Sequence, residues 1–140
     1  MEKLKMKIEH TTSLSNRDIE FLSKKISEET ANKSTCNPFA FFIHDDARQI
    51  IAGCSGFIIY GSIYTDLLWV HHDHRKKGMG KQLMEKVHDY GREMRCKIAT
   101  VTTMNFQRAR AFYEKLGYEC DLVRPGYVGG ATCIFLKKAL

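Results

Sequence analysis

Leu4, Met6 and Ile8 alternate with charged residues, and this period of two predicts a first strand over Lys3 to His10 with one wet face. Ser15 stands three residues ahead of Asp18, which is capping-box spacing. Ile19, Leu22 and Ile26 then share one helical face, so a helix is predicted to end near Thr30. The polar segment from Ala31 to Pro38 reads as loop. Three apolar and aromatic runs follow, Phe39 to His44, Ile50 to Tyr60 and Ile63 to His71. The turns Asp45 to Gln49 and Gly61-Ser62 separate them, which predicts a three-strand antiparallel meander. Gly53 and Gly56 inside the second run point to bulges or close backbone contacts.

Met79, Leu83, Val87, Tyr90 and Met94 recur at helical spacing up to about Arg95, and a β-branched strand from Ile98 to Thr103 comes next. Strand, helix, strand is a crossover, so the strands on either side of the helix are expected to be parallel. A shorter helix from about Phe106 to Leu116 would bury Ala109, Phe112 and Leu116. Gly117 stands where a glycine stop belongs. Tyr118 to Arg124 and Ala131 to Lys137 are expected to pair across the Pro125 to Gly130 loop. That loop, with Tyr127 at its tip, reads equally as a substrate lid or a plain connection. The expected fold is α+β, one domain over residues 1–140. Its mixed, mostly antiparallel sheet of about seven strands is flanked by helices and holds one parallel crossover.

Composition narrows the class. The chain has 140 residues, 44% hydrophobic and 27% charged, which suits a globular protein with one sizeable core. Apolar runs reach only about five residues, far from the ~20 of a membrane span, so no membrane partner is expected. Nothing near the start resembles a signal peptide. The 5 cysteines, Cys36, Cys54, Cys96, Cys120 and Cys133, are scattered and odd in number, which suits reduced thiols and a cytoplasmic protein. A net charge of +6 suits a polyanionic partner, whether nucleic acid, an acidic surface or a phosphorylated cofactor, and does not by itself choose among them.

The stretch Val70-His71-His72-Asp73-His74-Arg75-Lys76-Lys77-Gly78-Met79-Gly80-Lys81 carries the candidate chemistry. It leads from the apolar run Leu67-Leu68-Trp69-Val70 through a basic, glycine-containing turn into the long predicted helix. Unpaired N–H groups of a first helical turn converge on one spot, and the helix dipole favours negative charge there. No Ser, Thr, Asp or Asn directly precedes Gly78, so an anion can serve those donors. His71, His72 and His74 sit among basic neighbours and read as exposed polar residues; no metal is expected. No aromatic residues interleave with Arg75-Lys76-Lys77, which argues against single-strand nucleic-acid binding.

Arg75-Lys76-Lys77-Gly78-Met79-Gly80 resembles the R/Q-x-x-G-x-G/A motif of the GCN5-related N-acetyltransferase (GNAT) superfamily. Ala109-Arg110-Ala111-Phe112-Tyr113-Glu114-Lys115-Leu116-Gly117-Tyr118 is similar to a second segment of that family, A-x-x-F/L-Y-E-K-x-G-F/Y. The strand and helix order also matches, so the resemblance spans essentially the whole chain and is firmest from Leu67 to Tyr118. It implies a GNAT-like fold and an enzyme that moves the acetyl group of acetyl-CoA to an amine by direct attack in a ternary complex. The backbone of Leu68, Trp69 and Val70 would pair with the pantetheine arm. The N–H groups from Lys76 through Gly78, Met79 and Gly80 to Lys81 would cradle the pyrophosphate. Arg75, Lys76, Lys77 and Lys81 would add charge, and Ala109 would lie against the cofactor.

Tyr113 matches the family tyrosine that protonates the leaving thiolate, while a backbone N–H at the end of the Leu67 to Val70 strand would serve as oxyanion donor. Asp66 is the first candidate for the base that takes the amine's proton, ahead of His71, His72 or water. The departures are His72 for a frequent proline, Lys76 for a glycine, and Phe106 where an asparagine is expected. Asn105, one position early, then reads as a helix cap. Ile98 to Thr103 carries no carboxylate, although some members place a glutamate base there. The competing class is a catalytically silent acyl-CoA-binding module, or a nucleic-acid binder using the Arg75 to Lys81 loop. The acceptor, a small-molecule or protein amine, stays open, as does a homodimer.

Overall fold

The computed structural model describes residues 5–30 and 36–140. The chain divides into two compact units, Met1–Ser34 and Thr35–Leu140. In the first, helix α1 runs over Asn16–Glu29. The Ser15 side chain accepts a hydrogen bond from the Asp18 N–H at 3.2 Å, as the capping spacing predicts, and the Thr30 N–H closes the last turn on the Ile26 carbonyl. The expected strand from Lys3 to His10 does not form over residues 5–10, and Lys3 and Leu4 lie outside the described residues. Alternation makes a strand only where a neighbouring edge accepts its hydrogen bonds, and residues 5–10 join no ladder. Among the described residues the sheet therefore has six strands, not seven.

The second unit carries that sheet. Strands β1 (Asn37–His44), β2 (Ile50–Ile59) and β3 (Ser62–Val70) form the antiparallel meander read from the sequence. Tyr60 and Gly61 both take left-handed backbone angles, φ 52° and 74°, which matches the twist that a two-residue hairpin needs. Helix α2 (Met79–Glu93) crosses over to β4 (Ile98–Met104), and β4 lies parallel to β3 as expected for a crossover. The closing strands are β5 (Glu119–Arg124) and β6 (Cys133–Ala139). β6 inserts between its partners, giving the order β1-β2-β3-β4-β6-β5.

Leu83, Met84 and Val87 of α2 are buried against the sheet with Ala52, Ile63, Ala99, Val101 and Leu136. Gly91 brings the helix down onto β3, since a Cβ there would meet Ile63 Cγ2 at 2.8 Å. The short helix α3 covers only Arg110–Lys115, against the longer span expected from Phe106. Asn105–Gln107 instead forms a 3-10 turn, and Arg108 adopts φ 55°, a left-handed angle that no α-helix can carry. The Gln107 carboxamide oxygen fixes that turn by accepting from the Met104 N–H at 2.7 Å and the Thr103 hydroxyl at 3.1 Å. Asn105 does not cap the helix. Its side-chain oxygen accepts from the Thr132 N–H at 3.1 Å, and its own N–H reaches the Thr132 carbonyl.

Candidate functional site

The site begins at a fork between two parallel strands. β3 and β4 pair from Ser62 opposite Ile98 to Thr65 opposite Val101, and the ladder stops there. Its cause is a bulge: Gly56 opposes Thr65 and Ser55 opposes Leu67, so Asp66 is the extra residue and re-aims the rest of β3. Gly56 is required at this point, because a Cβ there would sit 1.8 Å from the Tyr64 carbonyl oxygen. On one face of the fork the Tyr64 and Thr102 hydroxyls, 3.0 Å apart, bridge the strands just before they part. Beyond it, Leu67 to Val70 pair only with β2, and Thr102 to Met104 only with β6, among the described residues. Two facing strand edges thus keep unpaired backbone groups, the template for an added strand.

The open end of the fork meets the start of α2. Gly78 is the N-cap at φ 86°, with no side-chain cap, as the residues preceding it imply. The Gln82 N–H is the first to close on the helix, at 2.9 Å from the Gly78 carbonyl. The N–H groups of Met79, Gly80 and Lys81 ahead of it have no intrahelical acceptor. Lys76 also takes a left-handed angle, φ 62°. Lys76 and Lys77 are exposed and make no ion pair among the described residues, while Lys81 reaches Glu85 at 3.9 Å. Arg75 differs from its expected posture: its Nε donates to the Val70 carbonyl at 2.9 Å, so it buttresses the end of β3.

Gly80 joins this cradle to the second motif. A Cβ on Gly80 would lie 3.3 Å from Phe112 Cζ, so the absent side chain lets α2 and α3 meet. The next residue, Tyr113, is 7% exposed and packs its ring 5.1 Å from that of Phe112. Burial, with smaller contributions from Cys54 and Tyr64, pushes its phenol up to about 12. Tyr113 therefore holds its proton at neutral pH. Ala109 is half-buried at the start of α3, beside the same core.

The base candidates separate. Asp66 is exposed at the bulge, and its carboxylate makes no hydrogen bond or ion pair among the described residues. The His71 ring is engaged: its Nδ1 accepts from the Asp73 N–H at 3.1 Å, which places the proton of the neutral ring on Nε2. His72 stacks on His71 and lies 3.2 Å from an Asp73 carboxylate oxygen. The Trp69 and Leu67 side chains line an apolar hollow of about 280 Å³ with Phe42, Ile50 and Gly53. Phe106, where the family pattern expects asparagine, is 61% exposed.

Two buried polar groups carry no sequence signal. Thr65, the last β3 residue paired with β4, is 3% exposed, and its hydroxyl has no partner among the described residues. His88 looks like a helix surface residue by its polar type, yet it is 4% exposed. Both are polar residues at core-facing positions, which a count of apolar residues passes over.

Residues 37–120 match the family described as "Acetyltransferase (GNAT) domain". Over 103 residues the chain is 30% identical to a blasticidin-S acetyltransferase of Streptomyces morookaense, covering 73% of this chain and 75% of that protein. Solved structures agree in fold. An acetyltransferase from Bacillus cereus ATCC 14579 superposes with TM-score 0.74 at 22% identity, over 94% of this chain and 98% of the other. An aminoglycoside 6'-N-acetyltransferase complexed with coenzyme A gives 0.66 at 19% identity, over 82% and 78%. With the family match over residues 37–120 and the 30% identical relative, the chain belongs to the GNAT acetyltransferase family.

Proposed function

We propose that the protein is an N-acetyltransferase that binds acetyl-CoA along the fork and passes its acetyl group directly to an amine. The observation that carries the reading is the contact of Gly80 with Phe112. It sets the anion cradle of α2 against the residue next to Tyr113, so one extended thioester can reach both. The free edges of Leu68 to Val70 suit an amide-rich arm, and the N–H groups of Met79 to Lys81 suit a pyrophosphate. Exposed Lys76 and Lys77 add charge. A coenzyme A-bound structure among the fold relatives supports the choice of ligand.

In this reading the amine nitrogen attacks the thioester carbon, the C–S bond breaks, and the Tyr113 phenol gives its proton to the departing sulfur. A free thiol has a pKa near ~8.5, so a proton at neutral pH favours departure. Unpaired N–H groups at the end of β3 are the oxyanion donors. The amine arrives protonated: at a pKa of about 10.4 only roughly one molecule in a few thousand is neutral at pH 7. Asp66, exposed at the bulge and without a side-chain partner among the described residues, takes that proton directly or through water. The apolar hollow of Leu67 and Trp69 lies on the strand that bears Asp66 and is the floor offered to the acceptor.

Calorimetric titration with acetyl-CoA is the first test, and micromolar-range binding is expected. Thiol release is then followed across an amine panel of peptides, polyamines, aminoglycosides and blasticidin S. Absence of cofactor binding would sink the reading. Binding without release on any amine would leave a silent acyl-CoA-binding module.

A further inference from the structure

His88 and Tyr118 lie far apart in sequence, on α2 and on the residue that follows the α3 stop. Their side chains meet in a buried hydrogen bond, Nε2 to hydroxyl, at 2.7 Å. Both residues are nearly inaccessible, at 4% and 3% exposed. The Tyr118 ring then packs on the Tyr113 ring, T-shaped at 5.5 Å. Backbone geometry adds a second tie. Gly117 at φ 95° ends α3 in a Schellman turn, with the Tyr118 N–H on the Tyr113 carbonyl at 3.1 Å and the Gly117 N–H on the Glu114 carbonyl at 3.0 Å. Lys138 Nζ donates to the Leu116 carbonyl at 2.8 Å and completes that stop.

An apolar pair could fill the same volume. A hydrogen bond adds direction: it fixes the rotation of the Tyr118 ring, and with it the surface on which Tyr113 leans. It also links the helix that opens with the anion cradle to the helix that carries the phenol. We propose that His88 and Tyr118 are positioning residues, a buried clip that sets where the Tyr113 hydroxyl stands at the fork. This rests on the acetyl-transfer reading above. His88 works in the clip as the neutral ring. Burial and the Lys138 and Arg92 cations hold it neutral against the opposing Asp89, and Lys81, Glu85 and Lys115 complete the polar basin around it.

The test compares the wild type with Tyr118→Phe, His88→Leu, His88→Gln, Tyr113→Phe and the Tyr113→Phe/Tyr118→Phe pair, each checked for folding by thermal melting. Tyr118→Phe and His88→Leu are expected to lower kcat about 5–30-fold, with the KM for acetyl-CoA within about threefold of wild type. His88→Gln, whose amide oxygen can accept from the Tyr118 hydroxyl, is expected to recover most of the loss. Adding Tyr118→Phe to Tyr113→Phe should cost nothing further. Unchanged kcat in folded Tyr118→Phe, or a loss that persists in the Tyr113→Phe background, overturns the clip. If the wild type itself turns over no amine, the acetyl-transfer reading fails separately. The clip is then judged by the ring resonance of Tyr113 in ¹³C-tyrosine NMR: a single sharp line that broadens or splits in Tyr118→Phe and His88→Leu supports it, and an unaltered line overturns it.

Discussion

Between Arg75 and Lys81 the site is made of exposed backbone and exposed charge, whereas around Tyr113 it is made of buried rings. In the second region Cys54, His88, Tyr113 and Tyr118 are driven by burial toward the neutral form. Under the proposed acetyl transfer, the division follows from the work each end would have to do. Holding a doubly charged ligand calls for many donors that water can still reach during binding and release. Delivering one proton calls for an acid that keeps it until the sulfur departs, and a dry setting does that. Gly80 against Phe112 is the seam between the two.

The strongest way to break the comparison is at the proposed acid. Tyr113→Phe removes the hydroxyl and keeps the ring that packs on Phe112 and Tyr118. Turnover is expected to fall on the order of 10²–10³-fold while acetyl-CoA affinity stays within about twofold. Steady-state kinetics beside calorimetry checks both halves. Unchanged turnover would take Tyr113 out of the chemistry and leave the buried end as core alone.

A second effect, smaller in free energy, should appear in stability as a function of pH. Burial first, then Lys138 and Arg92, lower His88 from 6.5 to about 4. In the unfolded chain the ring takes up a proton below about 6.5, while in the folded protein it does not until about 4. Its contribution is therefore full above pH 6.5 and is lost as pH falls through that window. The gap corresponds to something on the order of 3 kcal/mol. Urea unfolding between pH 7 and pH 4 should show wild type losing stability more steeply than His88→Gln. Parallel curves for the two would mean that His88 is solvated and charged.

Most of the frame was legible because it rests on local rules. The meander, the crossover and the glycine stop at Gly117 were written in periodicity and turn residues. So was the helix start at Gly78 without a side-chain cap. The failures have physical causes. Residues 5–10 alternate correctly yet meet no edge, and no local pattern encodes the presence of a partner strand. The α3 start was placed too early because Gln107 closes a turn through its side chain, a contact that competes with helix. At the candidate site, spacing singled out the basic turn that opens α2 and Tyr113 within α3. It could not see that Arg75 folds onto Val70, that the buried Thr65 hydroxyl has no partner among the described residues, or that His88 reaches Tyr118. Each of those depends on contacts across the fold.

Gly78→Ala sharpens the comparison from the cradle side. Open space surrounds the position where a Cβ would be added, so no clash is expected. Only the left-handed backbone, φ 86°, resists the change, at about 1 kcal/mol. Thermal melting should fall by a few degrees. If the backbone relaxes out of that conformation instead, the free N–H groups turn away and acetyl-CoA affinity drops as well. Affinity held constant beside a lowered melting point would show that the cap angle is structural and the converging N–H groups survive it.

The smallest effect belongs to the lysines. Lys76 and Lys77 are exposed and free of carboxylate partners among the described residues, so salt screens whatever they contribute. Replacing both by alanine is expected to weaken acetyl-CoA binding by about 3–10-fold at low salt and by less than twofold near 0.5 M salt. The salt dependence of the wild type should flatten in the variant, while kcat at saturating cofactor stays within about twofold in both. The same substitutions judge the rival use of this loop. If they abolish a salt-dependent nucleic-acid shift and leave cofactor affinity unchanged at every salt concentration, the charge of the loop serves a different polyanion. The cradle would then rest on backbone donors alone.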